Sequence, residues 1–234
     1  MREFATDRPD ATESPYTVDA GHFQLETDLF KTEHLKSGGA TTINNSYGIT
    51  NIKLGITNSL DIQFVVSPLE VLTINNGIFK MKTSKFGSLT LRAKQNLWGN
   101  DGGQFALSVL PFVTIPTQNG DKLSGGIVIP FAVSFNGWGL GAQAEADASK
   151  SGAANMYYVS FLVSATLSYS LFENFDFFIE AVLSKDNELK AYQYFLNGGF
   201  QFAVAPSIHI DTGIYYGIKS VSATTYFLGL SFRL

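Results

Sequence analysis

The chain has 234 residues, a net charge of −4, 14% aromatic and only 15% charged residues, against the roughly 25% charged that soluble domains carry. No run of about eighteen apolar residues occurs, which excludes a transmembrane helix, and the absence of cysteine excludes disulfides and thiolate metal sites. The acidic balance and the lack of a basic patch argue against a nucleic-acid partner.

Met1 to Phe4 opens without a charged-then-apolar leader, so the sequence reads as mature. Residues 1–16 are polar and turn-rich, with Asp7, Arg8, Pro9, Asp10, Glu13 and Pro15. Two prolines and this many charges rule out a membrane strand. They form an exposed tail or a segment tucked into the periplasmic mouth of a barrel, with Asp7, Arg8, Asp10 and Glu13 pairing lumen charges. Residues 17–234 read as one domain.

Alternation begins at Val18. Phe23, Leu25, Thr27 and Leu29 fall on one face, and His22, Gln24, Glu26 and Asp28 on the other. A polar loop is expected from Glu33 to Asn45. The next strand sets Ile52, Leu54 and Ile56 against Asn51, Lys53 and Gly55. After a short Thr57-Asn58-Ser59 turn, Leu60, Ile62, Phe64 and Val66 point outward, with Asp61 and Gln63 inward. A second long polar loop is expected around Asn75 to Lys85. Strand four sets Leu89, Leu91 and Ala93 against Thr90, Arg92 and Lys94. Asn100-Asp101-Gly102-Gly103 is a tight-turn signature.

The same rhythm continues through Phe105–Ile115, Ile127–Phe135, a turn at Asn136-Gly137, and a strand from Trp138 with Gln143, Glu145 and Asp147 inward. Strands from Tyr157, from Phe177 with Glu180 inward, around Leu196–Phe202 and from Ile208 follow, with loops expected at Pro116 to Gly125, Ala148 to Asn155, Ser184 to Lys190 and Lys219 to Ala223. The last sets His209, Asp211, Gly213 and Tyr215 inward. Thr224 to Leu234 closes the chain, with Tyr226, Leu228, Leu230, Phe232 and Leu234 on one nearly unbroken apolar face. A chain that stops inside such a strand suits the seam of a closed barrel.

Connections alternate short and long, and one face repeatedly carries Glu, Asp, Lys, Arg, Gln and Asn. A soluble barrel this large would need an apolar filling, so the polar face wants a wet lumen and the apolar face meets lipid. The expectation is an all-β fold: a transmembrane antiparallel up-and-down β-barrel in the bacterial outer membrane, with short periplasmic turns, longer extracellular loops and both termini periplasmic.

Several stretches resemble one known family. TDRPDATESPYTVDAGHFQLE, LGITNSLDIQF, GSLTLRAKQNL, VLPFVTIPT, IHIDTGIYYG and YFLGLSFRL are similar to outer-membrane channels named after the meta-cleavage pathway of phenol degradation. The likeness spans nearly the whole chain, and the opening box and closing strand are its most specific parts. The resemblance implies about twelve strands and passive passage of small, hydrophobic or aromatic molecules.

Candidate sites follow from facing. Lys53, Arg92 and Lys94 oppose Glu145, Asp147 and Glu180, with Glu26 and Asp61 also lining the lumen. They make either a transverse field across a pore or a simple filling of paired charges. His22 and His209 join Asp7, Arg8 and Asp211 in an expected network at the periplasmic mouth, as a gate or as structural hydrogen bonding, while His34 is expected in an exposed loop. Pro111 and Pro130 lie at mid-height on neighbouring strands. Proline donates no ladder bond, so they mark either a lateral exit into the bilayer or a pair of β-bulges.

No phosphate loop, dinucleotide fingerprint or His cluster occurs, so no cofactor or metal is expected. The partners are membrane lipid and a small solute, with an envelope-complex protein partner left open. The alternatives to a channel are a non-transporting accessory barrel and, with less support, an outer-membrane lipid enzyme, which needs a serine beside a histidine near the outer leaflet.

Overall fold

The computed structural model describes residues 1–118, 122–150, 156–187, 190–219 and 221–234. The expected loops Pro116 to Gly125, Ala148 to Asn155, Ser184 to Lys190 and Lys219 to Ala223 lie partly outside them.

Among the described residues the chain forms strands alone: β1 Phe23–Ser37, β2 Ala40–Tyr47, β3 Ile49–Thr57, β4 Leu60–Val66, β5 Leu69–Asn75, β6 Lys80–Lys85, β7 Leu89–Trp98 and β8 Phe105–Ile115. There follow β9 Ser124–Phe135, β10 Trp138–Lys150, β11 Tyr157–Phe172, β12 Phe175–Asp186, β13 Ala191–Ala205, β14 Ile208–Gly217 and β15 Thr224–Arg233. Twelve of them, β1, β3, β4 and β7 to β15, form a closed antiparallel barrel, and the β1–β15 pairing is the seam. Leu25 stands opposite Phe232 there, and the Phe23 and Leu234 backbones bond each other in both directions.

The wall obeys its alternation. Outward Phe23, Ile52, Leu91, Ile179, Phe200 and Leu228 are exposed, while inward Lys53, Asp61, Gln63, Lys94 and Glu180 are buried. Burial inverts relative to a soluble protein, the polar face being the covered one, because the apolar exterior meets acyl chains.

The two long polar loops expected in the first third are strands instead. Ser37 turns through Gly38 and Gly39 into β2, and β2, β5 and β6 continue the wall beyond the barrel as the sheet β1–β2–β5–β6. Glu33 to Asn45 and Asn75 to Lys85 read as loops because both faces of this extension are wet, so no apolar face marks the period. The extension is creased where it leaves the barrel. Gly48, at φ 70°, separates β2 from β3, Ser67-Pro68 separates β4 from β5, and Phe86-Gly87-Ser88 separates β6 from β7. In the same row Leu29 is a bulge: the β1–β15 register jumps from Asp28 to Phe30, and both Leu29 and Phe30 face out. His34 therefore sits in β1 rather than a loop; it is exposed, and its ring meets Tyr226 edge-on.

β1 starts at Phe23, not at Val18. Residues 1–22 lie outside every strand.

Candidate functional site: the charged lumen and its N-terminal segment

Residues 2–19 touch inward side chains all round the wall. On the basic side, the Asp7 carboxylate accepts from Lys53 Nζ and Lys94 Nζ, each at 2.5 Å. Lys53 is also paired with Glu26, whose carboxylate accepts the Asp7 backbone N–H. Glu13 pairs with Arg92 at 2.5 Å. On the acidic side, the Arg8 guanidinium donates at 2.6 Å to both Asp28 and Asp211. Glu180 accepts the backbone N–H groups of Ala11 and Thr12 at 3.0 and 2.7 Å, and the Thr12 hydroxyl besides.

Neutral contacts complete the ring. Ser108 and Asn96 donate to the Pro15 carbonyl, Asp61 accepts the Val18 N–H, and Asn100 bonds both the N–H and the hydroxyl of Thr17. Tyr215 donates to the Pro9 carbonyl at 2.7 Å. At the short-turn end Arg2 pairs with Asp19 and donates to the Asn58 carbonyl.

Two glycines make room for this. A Cβ on Gly229 would stand 2.0 Å from Arg8 Nη2, and one on Gly55 would stand 2.0 Å from the Asp19 carbonyl oxygen. Gly229 is the register partner of both Asp28 and Asp211. The guanidinium lies over bare backbone between its two carboxylates, with the Phe227 ring 5.4 Å from its carbon.

The segment's electrostatics follow from enclosure. Burial alone would raise the Asp7 carboxyl, but Lys53, Lys94 and Arg92 outweigh it and hold it below the usual range. Burial pushes the Glu13 carboxyl up to about 7 against the pull of Arg92, with Asp7 adding to the rise. Asp10, buried and facing Glu180, is raised.

The sequence-predicted residues divide accordingly. Lys53, Arg92, Lys94, Glu26, Asp61 and Glu180 all point inward, but apart from the Lys53–Glu26 pair on neighbouring strands they meet the segment rather than facing one another across an open pore. Glu145 and Asp147 are the half-buried remainder of that set, on the strand that also sends Gln143 to the Glu13 N–H. Asp7, Arg8 and Asp211 are brought into the lumen, in two separate clusters. The two histidines do not join them. His22 Nδ1 lies 3.1 Å from the Ala20 carbonyl, and the His209 ring packs 4.6 Å from Phe4. Glu13, also expected to meet a lumen charge, pairs with Arg92. Asp28, Asn96, Asn100, Ser108 and Gly229 also belong to the site; the outward hint was a glycine interrupting an otherwise bulky closing strand.

The prolines interrupt the wall without bulging it. Between β7 and β8 the pairing passes from Arg92–Phe112 to Gln95–Val109, leaving Leu110 and Pro111 unpaired on that side. Between β8 and β9 it passes from Leu107–Phe131 to Leu110–Val128, leaving Ile129 and Pro130 unpaired. The register is unchanged across both breaks, so the bulge alternative does not hold. Pro130 is buried toward the lumen, and Pro111 is exposed on the outside.

The filling leaves space in more than one place. A recess of about 570 Å³ lies at the short-turn end between residues 2–5 and Gln24, Asn100 and Arg233. Between the segment and the wall from β9 to β12 lies a cavity of about 270 Å³, where Gly139, Gly141, Ser134 and Ser168 keep the wall thin. A recess of about 470 Å³ at the Asn136-Gly137 turn shares Ser134, Gly139, Ser168 and Asp176 with it.

Residues 6–234 match the family described as putative MetA-pathway of phenol degradation. The chain belongs to this family. No curated protein matches it. Among solved structures it is similar to the NanC porin, at 12% identity and TM-score 0.59 over 90% of this chain and 100% of that one. It is also similar to the translocator domain of the autotransporter NalP from Neisseria meningitidis, at 12% identity and TM-score 0.57 over 93% and 90%. Both likenesses concern the fold of this family member, an outer-membrane barrel.

Proposed function

We propose that this family member is a bacterial outer-membrane channel for passive passage of small, hydrophobic or aromatic molecules, with its N-terminal segment as a removable stopper and both termini periplasmic. The observation that carries this reading is the way the lumen is filled. Ion pairs and hydrogen bonds to a separate stretch of chain occupy most of it, with a few buried apolar side chains such as Phe4, Phe178 and Phe227 among them. Such a filling can leave and be replaced by water, because every wall charge it covers is soluble. The preference for aromatic solutes rests on the family.

The breaks beside Pro111 and Pro130 support a lateral exit. They flank β8 on both sides, and Pro15 covers the lumen face of the same strand through Ser108. Withdrawal of the segment would uncover the weakened wall and the axial path together. An apolar solute would then leave sideways into the bilayer.

The deciding experiment is single-channel conductance in a planar bilayer, for the full chain and for a chain lacking residues 1–16. Steady conductance only after truncation supports the stopper, and conductance in both supports a channel open past the segment. Silence in both sinks the channel. The accessory-barrel reading, which the occupied lumen favours, would then take its place. A lipid-enzyme reading has little support among the described residues: His22 and His209 engage a carbonyl and a ring at the short-turn end, and His34, toward the long loops, has the Thr32 hydroxyl at 3.0 Å and the edge of Tyr226 beside it, not a serine oriented by a carboxylate.

A further inference from the structure

The lysines are sorted by height and by face. The short turns, 57–60, 98–105, 135–138, 172–175 and 205–208, contain no lysine or arginine and carry Asp101 and Glu173. At the long-loop end Lys36, Lys80 and Lys82 project from the outer face of the extension. The facing is fixed by register. Thr32 pairs with outward Tyr226, so His34 and Lys36 share that face. It runs on through Lys36–Thr41, Thr41–Asn75 and Asn75–Lys80 in one row, and His34–Ile43, Ile43–Thr73 and Thr73–Lys82 in the row below.

The carboxylates of this sheet are on its other face. Glu33 pairs there with Lys31 at 3.7 Å and Glu70 with Lys85 at 3.5 Å. Among the described residues the outer face carries no acid, and Lys36, Lys80 and Lys82 have no ion pair. A chain of net charge −4 thus presents one wholly cationic face.

That face is continuous with the lipid-facing wall. Below its lysine rows stand Phe30 and Tyr47, rings 5.4 Å apart, at the aromatic level that marks a membrane interface. Along β1, at about 3.3 Å per residue and a tilt of about 40°, Lys36 lies about 15 Å above Phe30; a row across strands tilted in this way is not level, and Lys80 and Lys82, three strands on, are offset by roughly a further 9 Å. A phospholipid headgroup layer is only about 5–8 Å thick, so Lys36 overreaches it. A glycolipid whose phosphates sit in a thicker sugar layer reaches it.

We propose that Lys36, Lys80 and Lys82 form a docking surface for the phosphates of a phosphorylated glycolipid in the leaflet bordering the long-loop end. Three ammonium groups on a strand-rigid face meet fixed phosphates as point charges. The proposal rests on the bilayer placement of the wall and not on solute passage, so a silent channel leaves it standing.

The test is titration of the full chain in detergent with diphosphoryl lipid A, and with its dephosphorylated form, read by native mass spectrometry. The variants are K36Q/K80Q/K82Q on the outer face and K31Q/K85Q on the inner face of the same sheet. The outer-face variant is expected to bind diphosphoryl lipid A about a hundredfold more weakly, while the inner-face variant keeps wild-type affinity and the dephosphorylated lipid binds all three proteins alike. Equal loss in both variants would reduce the effect to net charge and overturn the proposal. So would an outer-face variant that keeps its lipid affinity but self-associates, since lysines on the open edge of β6 would then serve only to block strand pairing.

Discussion

The Arg8 guanidinium rests on Gly229, and the closing strand has no room there for any side chain. A methyl group at 229 would meet Nη2 at 2.0 Å, so Gly229→Ala has to displace Arg8 from Asp28 and Asp211 while leaving β15 paired. The chain lacks cysteine, so Thr12→Cys, at a position buried against Glu180, reports seating cleanly. Maleimide labelling of Thr12→Cys is expected to be slow alone and at least tenfold faster when Gly229→Ala is added, with the barrel still folded. Unchanged labelling would mean that Arg8 does not hold the segment.

Asp7 neutralises two buried lysines at once. Asp7→Asn strands Lys94, whose ion pair in the lumen is with Asp7. Removing one partner of a buried pair costs about 3–5 kcal/mol, and a lower thermal midpoint by intrinsic fluorescence is expected. Adding Lys94→Met to Asp7→Asn should recover part of that loss. If the double variant is less stable than Asp7→Asn, the cost lies elsewhere.

The segment's grip depends on pH in a defined direction. The Glu13 carboxyl is raised to about 7 from an ordinary value of 4.5. The seated form therefore binds more protons than the released form between these values, and seating weakens as pH rises through the window. Asp7 has the opposite sign: its contribution is present above the ordinary carboxylate range and is lost in stronger acid. Labelling at position 12, taken relative to the denatured protein at the same pH so that ionisation of the thiol itself cancels, should accelerate from about pH 4.5 to about 7, and Glu13→Gln should flatten that ratio.

Restoring donors at the two breaks should close the wall. Pro111→Val with Pro130→Val supplies two N–H groups to ladders that already hold register, each worth about 0.5–1.5 kcal/mol. The truncated barrel carrying both is expected to unfold at higher temperature and to pass benzene into liposomes more slowly, with ion conductance unchanged. Equal benzene flux would eliminate the lateral path.

The strands that touch lipid were legible in the sequence because lipid imposes a strict period. Ile52, Leu54 and Ile56, or Tyr226 through Leu234, announce their facing without ambiguity. β2, β5 and β6 were not legible as strands, since neither of their faces is buried and threonine, asparagine and lysine carry no phase. The Gly38-Gly39 pair between LeuLysSer and AlaThrThrIle was the available signal. The lumen was legible as charge but not as pairing. Inward Lys53, Lys94 and Asp211 follow from alternation, and Asp7 and Arg8 were expected to meet lumen charges, but which charge each one meets has no signal in a segment without a period; only three-dimensional proximity assigns Asp7 to Lys53 and Lys94 and Arg8 to Asp28 and Asp211.

The segment is joined to β1 at Phe23, so a released stopper stays beside its own binding site. Tethering over some twenty residues gives an effective concentration of about a millimolar. An isolated peptide of this sequence that bound the empty barrel with a dissociation constant of about 10 µM would, once tethered, occupy it about 99% of the time. Near-complete closure thus requires only modest affinity, and small losses of grip at Arg8 or Asp7 translate directly into the fraction of time the lumen stands empty.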